Sequence, residues 1–498
     1  DRMNNVTPSD GGLHFSCTAA NDGKIRGTLP FSSGKYYFED TVAIAARHHV
    51  GVVATRAPLL TNAGDFSNRA DEWAVRTDGF KVNNQAALGN EGYDINNSNT
   101  INATGYIWMV AVDADNGKIY FGKNGLWLAG ANPYTGANAH YTNLSGYELC
   151  PGMGRRTGAN AANINFGQTP FVYNPPEGFH ALCTSNIKHG PVRDPRQHFG
   201  ALTWTGNGSA SHAITGLKFK PDLVWIKCRS DAKWHILVDS LRGTSKNLSS
   251  NSNTGEFTET HIPSFDNNGI TVADIDSGTA NENSFTYVAW CWKAGGDSNT
   301  FNIDGVGYAT AAAAGLNGGT ANPTGASVNT EAGFSIISYT ATNNQNVSYS
   351  HGLNQAPEII IAKDRDNAIN WGVYYTELGT NTNWSTLNTT DAQGSNNSGV
   401  TPVGGFSGSY MTLHQDYFAP SYNAFANGGN DGNDKIIAYM WHSVPGYSKV
   451  GVFNGDAETD NTFIPCGFRP AWILAKSIDS AGGQWWIVDT KRDPDNVV

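Results

Sequence analysis

The chain has 498 residues, 39% of them hydrophobic and only 15% charged, with 57 glycines and a net charge of −11. Its 32 Lys and Arg are spread over an acidic chain and form no basic stripe, which excludes nucleic acid as the expected partner. No apolar run approaches the ~18 residues of a spanning helix, so membrane insertion is not expected either.

Gly, Asn, Ser and Thr, together with 14 Trp, 20 Tyr and 22 Phe, favour short strands joined by tight turns, and the predicted fold class is all-β. The first stretch, 1–186, reads as consecutive short strands. Alternation around Val110 and Val112 meets a turn at Asp115-Asn116-Gly117 and resumes at Ile119 and Phe121. Asn-Gly predicts a type I′ hairpin turn there, and Asn124-Gly125 closes the next. The same stretch begins like a calcium-binding EF-hand loop, but position 12 is Asn124 where a bidentate Glu is required, so the turn is preferred. His48 and His49 stand at a strand entry and are expected to pack or to be solvated. Tyr37, Trp73, Trp108, Tyr120 and Phe166 fall on strand-like segments and are expected in the core. Trp127, Tyr134 and Tyr141 flank Gly and Asn without alternation, which makes them the candidate ligand-binding residues, able to stack on a sugar or a protein partner.

Five segments in order, GKYYFE (34–39), VGVV (50–53), DADNGKIYF (113–121), LCP (149–151) and NFGQTPF (165–171), resemble the SPRY domain. The resemblance implies a two-sheet antiparallel sandwich that binds partners through loops at one edge and has no catalytic residues. The loops at 54–72 and 128–147 are long and leave the partner open.

After residue 198 the chain repeats itself. PDLVWIK (221–227) recurs as PEIIIAK (357–363) and PAWILAK (470–476). WHILVD (234–239) is matched by WGVYYT (371–376) and WWIVD (485–489), and the closing strand YVAWCW (287–292) by IIAYMW (436–441). Opening strands LTWTG (202–206), ISYTA (337–341) and VFNG (452–455) match as well. The spacing exceeds a hundred residues, far above a solenoid unit, so each copy is long enough to enclose a core and independent β-domains are expected. Pro suits the first position of a buried strand because it has no N–H for the ladder, and Lys marks the exit. The expected organisation is a SPRY-like antiparallel β-sandwich at 1–186, repeat domains at 187–296 and 333–446, an Ala/Gly-rich linker or inserted loop at 297–332, and a partial repeat at 447–498. The third copy has no closing strand before Val498, from which a longer polypeptide is expected. Ligand contacts are expected in the divergent stretches 242–263 and 378–408.

GYSKVG (446–451), GFRP (467–470) and WCWKAGG (290–296) resemble repeat-containing structural proteins of tailed phages. That resemblance implies a virion-surface appendage such as a tail fibre or receptor-binding protein. Its partners would be a host-surface glycan or protein and other virion proteins, and by analogy with phage fibres it would be a homo-oligomer, a trimer.

No nucleophile elbow, zincin motif or phosphate-binding loop is present, so no enzyme, cofactor or metal is expected. Asp266, Asp274 and Asp276, and Asp364 with Asp366, suit turns, with bound calcium as the minor alternative. The six cysteines show no CxxC spacing and suit buried thiols, while pairing of Cys150 with Cys183 stays open. The alternatives to a recognition protein are a virion decoration without ligand and a glycan-degrading enzyme with sandwich accessory modules.

Overall fold

The computed structural model describes residues 6–17, 23–44, 48–55, 71–77, 80–83, 86–87, 103–155, 160–183, 185–187, 192–275, 278–341, 347–375, 384–392, 411–413, 417–420, 433–453, 455, 464, 466–480 and 482–493. The loop at 56–70 and most of the stretch 378–408 lie outside the described residues. The chain divides into two units, Asp1–His189 with Phe453–Phe468, and Gly190–Val452 with Arg469–Val498. Among the described residues all regular structure is strand apart from three short 3-10 turns.

In the first unit the alternating segments do as their pattern dictates. Lys35–Ile44, Ile107–Asp113 and Lys118–Lys123 lie side by side, antiparallel, and the sheet continues through Asn160–Asn165, His14–Cys17 and Val6–Ser9. A second sheet runs Gly23–Arg26, Leu149–Arg155, His48–Ala54, Glu72–Arg76, Phe80–Asn83 and Ala86–Ala87. One face of each is apolar, and the two faces enclose a core that includes Tyr36, Phe38, Val50, Trp73, Trp108, Val110, Ile119 and Phe121. The unit is a two-sheet antiparallel sandwich.

The turn chemistry differs from expectation at one of the two Asn-Gly pairs. Asp113 pairs with Lys118, so the loop has four residues, and the Asp113 carboxylate accepts the Asn116 N–H at 3.1 Å. Gly117 has φ +64° there, while Asn116 is not left-handed. At the second pair Asn124 (φ +48°) and Gly125 (φ +84°) both are, and they join Lys123 to Leu126 as a two-residue turn. His48 and His49 are both buried, and His48 Nε2 lies 2.7 Å from Asp40 Oδ2 between the sheets. Cys150 is a buried free thiol and Cys183 is free beside Ser185, so the two do not pair.

The second unit holds the repeats. In the first, Phe199–Thr205, Thr286–Trp292, Leu223–Cys228 and Ile236–Asp239 form one sheet, faced by a small sheet of His212–Thr215, Gly269–Val272 and Ser264–Asp266. In the second, Phe334–Thr340, Lys435–Trp441, Ile359–Asp364 and Gly372–Tyr375 repeat the same order and are faced by Tyr349–Ser350, Tyr417–Pro420 and Met411–Leu413. Residues in 297–332 carry Phe301–Ile303, Val306–Tyr308 and Gly325–Asn329, which extend the second repeat's sheet. The third repeat is the hairpin Trp472–Ala475 with Trp486–Asp489.

Register corrects the sequence alignment by one residue. Leu223 pairs with Asp239, Ile359 with Tyr375 and Trp472 with Asp489, so Trp371 and Trp485 are the counterparts of His235, not of Trp234. Trp234 is exposed and Trp371 is buried. The shared Lys is explained by its partners: Lys227, Lys363 and Lys476 each donate to carbonyls of the loop that joins the two repeated strands.

The expectation of independent domains is not met. The repeated strands are apolar on both faces, and a strand of that kind must be covered twice. Val224, Ile226, Ile236 and Val238 face the first repeat's own core, while Leu223, Trp225, Leu237, Trp290 and Trp292 face a second core shared with Phe334, Ile336, Ile361, Trp371 and Tyr439 of the second repeat. Trp472, Leu474 and Ile487 of the third repeat pack on it too. Trp292 touches both Trp441 (centroids 6.1 Å) and Trp472 (5.3 Å), one aromatic ring from each repeat.

Hydrogen bonds tie the three in the same way. Tyr439 of the second repeat donates to Asp239 of the first at 2.7 Å, and Trp290, its counterpart in the first, donates to Asp489 of the third at 3.0 Å. Trp371 donates to the Ser249 carbonyl at 2.8 Å, second repeat to first, and Trp485 to the Thr386 carbonyl at 2.9 Å, third to second. The contacts run second to first, first to third and third to second. The divergent stretch 242–263, expected to offer ligand contacts, supplies part of this joint: Glu256 pairs with Arg365 of the second repeat at 2.8 Å.

Candidate functional site

The outer face of the first unit's larger sheet, turned away from the sandwich core, is also aromatic. Tyr37, Ala111 and Tyr120 sit in one cross-strand row, with the small Ala between two fully buried rings. Phe179 and Ala131 cover the row, with Trp127, Phe171 and Tyr173 packed against its margin.

Glu39 fixes that cover. It lies two residues beyond Tyr37 and so on the same face, it is buried, and its carboxylate accepts the Tyr37 hydroxyl at 3.0 Å, the Val172 N–H at 3.0 Å and the Tyr173 N–H at 2.8 Å. One charge therefore pins the 171–173 segment across the sheet. Burial pushes the Tyr37 hydroxyl far above its ordinary pKa, and the Glu39 carboxylate adds to this, with the hydroxyls of Tyr134 and Tyr173 contributing from nearby.

Beside it stands the loop 131–141. Asn132 folds it: the side-chain carbonyl accepts the N–H groups of Tyr134 (3.0 Å) and Thr135 (3.1 Å), and the backbone closes through Gly136 N to Asn132 O and Asn132 N to Ala137 O, both 2.9 Å. Asn138 donates to the Gly130 carbonyl at 3.0 Å and Lys118 to the Gly136 carbonyl at 3.0 Å, tying the loop to the sheet. Gly136 takes φ +78° and lies over Tyr120, whose buried hydroxyl has no hydrogen-bond partner among the described residues; a Cβ there would stand 3.8 Å from that oxygen. Tyr134 emerges from the loop 60% exposed.

The structure brings two of the three sequence-predicted residues together. Trp127 packs partly buried at the edge of the tyrosine row, and Tyr134 projects above it. Tyr141 is a correction: it belongs to the inner core and its hydroxyl donates to the Ala74 carbonyl at 3.2 Å, so it is not available to a ligand. Its backbone bridges to Ile119, a pairing that brief alternation around 141 does not reveal. Glu39, Lys118 and Asn132 were missed. Asn132 before Pro133 is a turn signal that marks the loop; nothing in the strand pattern distinguishes Glu39.

Chemically the face offers a ring, hydroxyls and amides. Among the described residues no cluster of three or more His, Cys, Asp or Glu is placed to hold a metal ion. A cleft of 360 Å³ in the second repeat is lined by Ile303, Leu316, Ser350 and Leu353, but the Ser350 hydroxyl already accepts the Gly318 and Gly319 N–H groups.

Fold and face together define an all-β, multi-sheet protein with a braced aromatic loop and repeats that share a core. Residues 194–498 match the family model described as a domain of unknown function, DUF7483, and with more than half of its length matched the chain belongs to that family. No curated protein matches. Among solved structures the chain is similar to the SPRY domain of human HERC1, at 16% identity over 33% of this chain and 94% of that one, with a TM-score of 0.25. It is similar to another human SPRY domain at 15% identity over 34% and 99%, with the same TM-score.

Proposed function

We propose that the protein is a non-enzymatic recognition component of a tailed-phage virion, a tail fibre or receptor-binding appendage, whose 131–141 loop contacts a host-surface glycan or protein. The observation that carries this reading is Tyr134, 60% exposed on a loop held by the Asn132 side chain, the Lys118 ammonium and its own backbone bonds. A ring fixed before binding loses little freedom on contact, so its apolar face and hydroxyl contribute to affinity almost undiminished. A decoration without ligand, one of the two alternative readings of the sequence, has no use for an exposed aromatic on a braced loop. Placement on a virion surface rests on the likeness of the repeats to phage structural proteins, and a SPRY-type recognition role on the five N-terminal segments.

The test is binding of the full chain to an oligosaccharide array and to immobilised envelope extract from bacterial hosts. Saturable binding is expected, weakened at least tenfold by Tyr134→Ala with the melting temperature unchanged. Equal binding by the variant, or none by the parent chain to either surface, refutes the reading.

A further inference from the structure

Strand register sets one side chain of the first repeat apart from its counterparts. His235, Trp371 and Trp485 occupy equivalent positions, so Trp234 corresponds to Asn370 in the second repeat and to Gln484 in the third. Two amides stand where the first repeat carries an indole, so the strand pairing does not require the ring. Trp234 is 52% exposed, and Phe257 meets it at 6.5 Å and 69°, a T-shaped contact that cannot cover both faces of the indole. Apolar surface left in water does not stabilise the fold.

The chain around the ring is nonetheless held. Lys227 donates to the carbonyls of Asp231 (3.2 Å) and Lys233 (3.3 Å), on the loop that leads to Trp234. His235, the next residue, donates its N–H to the Asn251 side-chain carbonyl at 2.9 Å, and its ring accepts from Trp225 at 3.3 Å. The backbone is thus fixed on both sides of Trp234, which lowers the freedom lost when a ligand binds.

Beside the ring a hydrogen-bond donor is set free. Asn251 and Asn388 are counterparts, because each accepts, at 2.9 Å, the N–H of the residue after the variable position, His235 or Trp371. In the second repeat the other end of that amide donates to Asn370 Oδ1 at 2.7 Å. In the first repeat Trp234 replaces this acceptor. The Asn251 carbonyl is engaged twice, by His235 N and by Ser249 Oγ at 2.9 Å, which fixes the orientation of the amide. Its Nδ2, on an exposed residue, has no protein acceptor among the described residues. One exchange of residue therefore supplies an open aromatic face and, next to it, an oriented donor.

We propose that Trp234 and Asn251 form a carbohydrate-binding subsite on the first repeat, in which a neutral pyranose lays its C–H face on the indole and one of its hydroxyls accepts from Asn251 Nδ2. A sugar ring carries both an apolar face and hydroxyls at its rim, which is what this pair of residues answers. The nearest charged residues in the chain, Asp231 and Lys233, pair with each other at 3.3 Å, so nothing adjacent favours an acidic sugar. A protein partner would need roughly 800 Å² of complementary surface, whereas the subsite is one ring and one amide. It is separate from the Tyr134 loop and does not rest on it.

The test titrates the 498-residue protein, labelled with 5-fluorotryptophan, with maltohexaose, cellohexaose, mannohexaose and N-acetylchitohexaose. The fluorine resonance missing from Trp234→Asn identifies Trp234, and it is expected to shift saturably with at least one of these sugars. Asn251→Asp keeps both accepted hydrogen bonds but lacks the donor, and should weaken that binding about fivefold. Trp234→Asn rebuilds the amide pair of the second repeat and should abolish it, and neither variant should change the melting temperature. No saturable shift at Trp234 with any of the sugars, a shift with polygalacturonate alone, or undiminished affinity in Asn251→Asp overturns the proposal. So does a concentration-dependent dimer that Trp234→Asn abolishes, which would assign the ring to a second copy. A response confined to another tryptophan, such as Trp127 beside the Tyr134 loop, would refute this subsite while supporting recognition by that loop, so the two readings fail separately.

Discussion

Tyr439→Phe removes one oxygen atom and tests whether the repeats are one folding unit. The hydroxyl is fully buried, donates to Asp239 Oδ2 at 2.7 Å and accepts from Arg242 Nη2 at 3.2 Å. A hydrogen bond to a charged group contributes roughly 1.5–3 kcal/mol. Neither charge is left bare, since Asp239 keeps Arg242 Nε at 2.6 Å and Arg242 N at 2.9 Å, and Arg242 keeps the Lys246 and Leu237 carbonyls. The expected loss is therefore about 2 kcal/mol, the range of one such bond because both charges keep other partners, or about 3 °C in melting temperature for a unit of this size. Urea unfolding gives the magnitude, and hydrogen exchange gives its location. Tyr439 belongs to the second repeat and Asp239 to the first, yet both line one core, so Leu223–Cys228 and Ile359–Asp364 are expected to lose protection equally. A loss below about 0.5 kcal/mol, or one confined to the second repeat's strands, would refute the shared-core account.

Three further outcomes follow from named groups. Burial holds His235 down to about 4, with its ring nitrogen accepting from Trp225 and Ser250; the unfolded ring binds its proton near 6.5, so the folded state's advantage is complete above that value and is lost as pH falls towards 4. An acid titration of stability should show about 3 kcal/mol disappearing across that window, and His235→Gln should flatten it; an unchanged profile would remove His235 as the cause. Burial likewise brings the Lys363 ammonium down to about 8, so this residue's share of stability rises from pH 8 to 10.5, and Lys363→Met, which strips the Asp364 and Asn367 carbonyls of their donor, should cost about 1–3 kcal/mol and lose that rise in a stability–pH comparison with the parent. Glu39→Ala should free the Val172 and Tyr173 amides, raising their exchange rates at least tenfold while the inner core at Trp108 and Val110 keeps its protection; unchanged exchange at 172–173 would show that something else holds the segment.

The parts of the fold that were legible are those written in local pattern. Alternation around Val110 and Ile119 gave the hairpin, and the three Pro-to-Lys segments gave the repeated strand, because burial on one or both faces leaves a direct trace in residue choice. Turn geometry was legible only in part: Asn124-Gly125 and Asn116-Gly117 are the same dipeptide, but the Asp113 carboxylate engages Asn116 and converts the second into a four-residue loop. The candidate site was half legible. Trp127 and Tyr134 lack alternation because they serve a margin and a loop, whereas Tyr141 lacks it because a single β-bridge places it in the core. Glu39 was invisible, since its partners Val172 and Tyr173 are more than a hundred residues away.

The shared core was present in the sequence and was misassigned for a physical reason. Leu223-Val224-Trp225-Ile226 and Ile359-Ile360-Ile361-Ala362 have no polar alternate positions, and such a run states that both faces are covered without saying by what. A free-standing sandwich needs only one apolar face per sheet; the second was the signal that the copies pack on one another. Once they do, each joint requires a donor and an acceptor from different repeats, and the same alignment positions supply them twice over, Tyr439 to Asp239 and Trp290 to Asp489. The exchange of Tyr for Trp at one position, with an aspartate kept at the other, preserves a donor facing a carboxylate through a change of ring. At the third joint the register places Tyr375 where the other two carry Asp, replacing the carboxylate with a group that can give as well as receive, and Trp485 ties that joint through the Thr386 carbonyl instead.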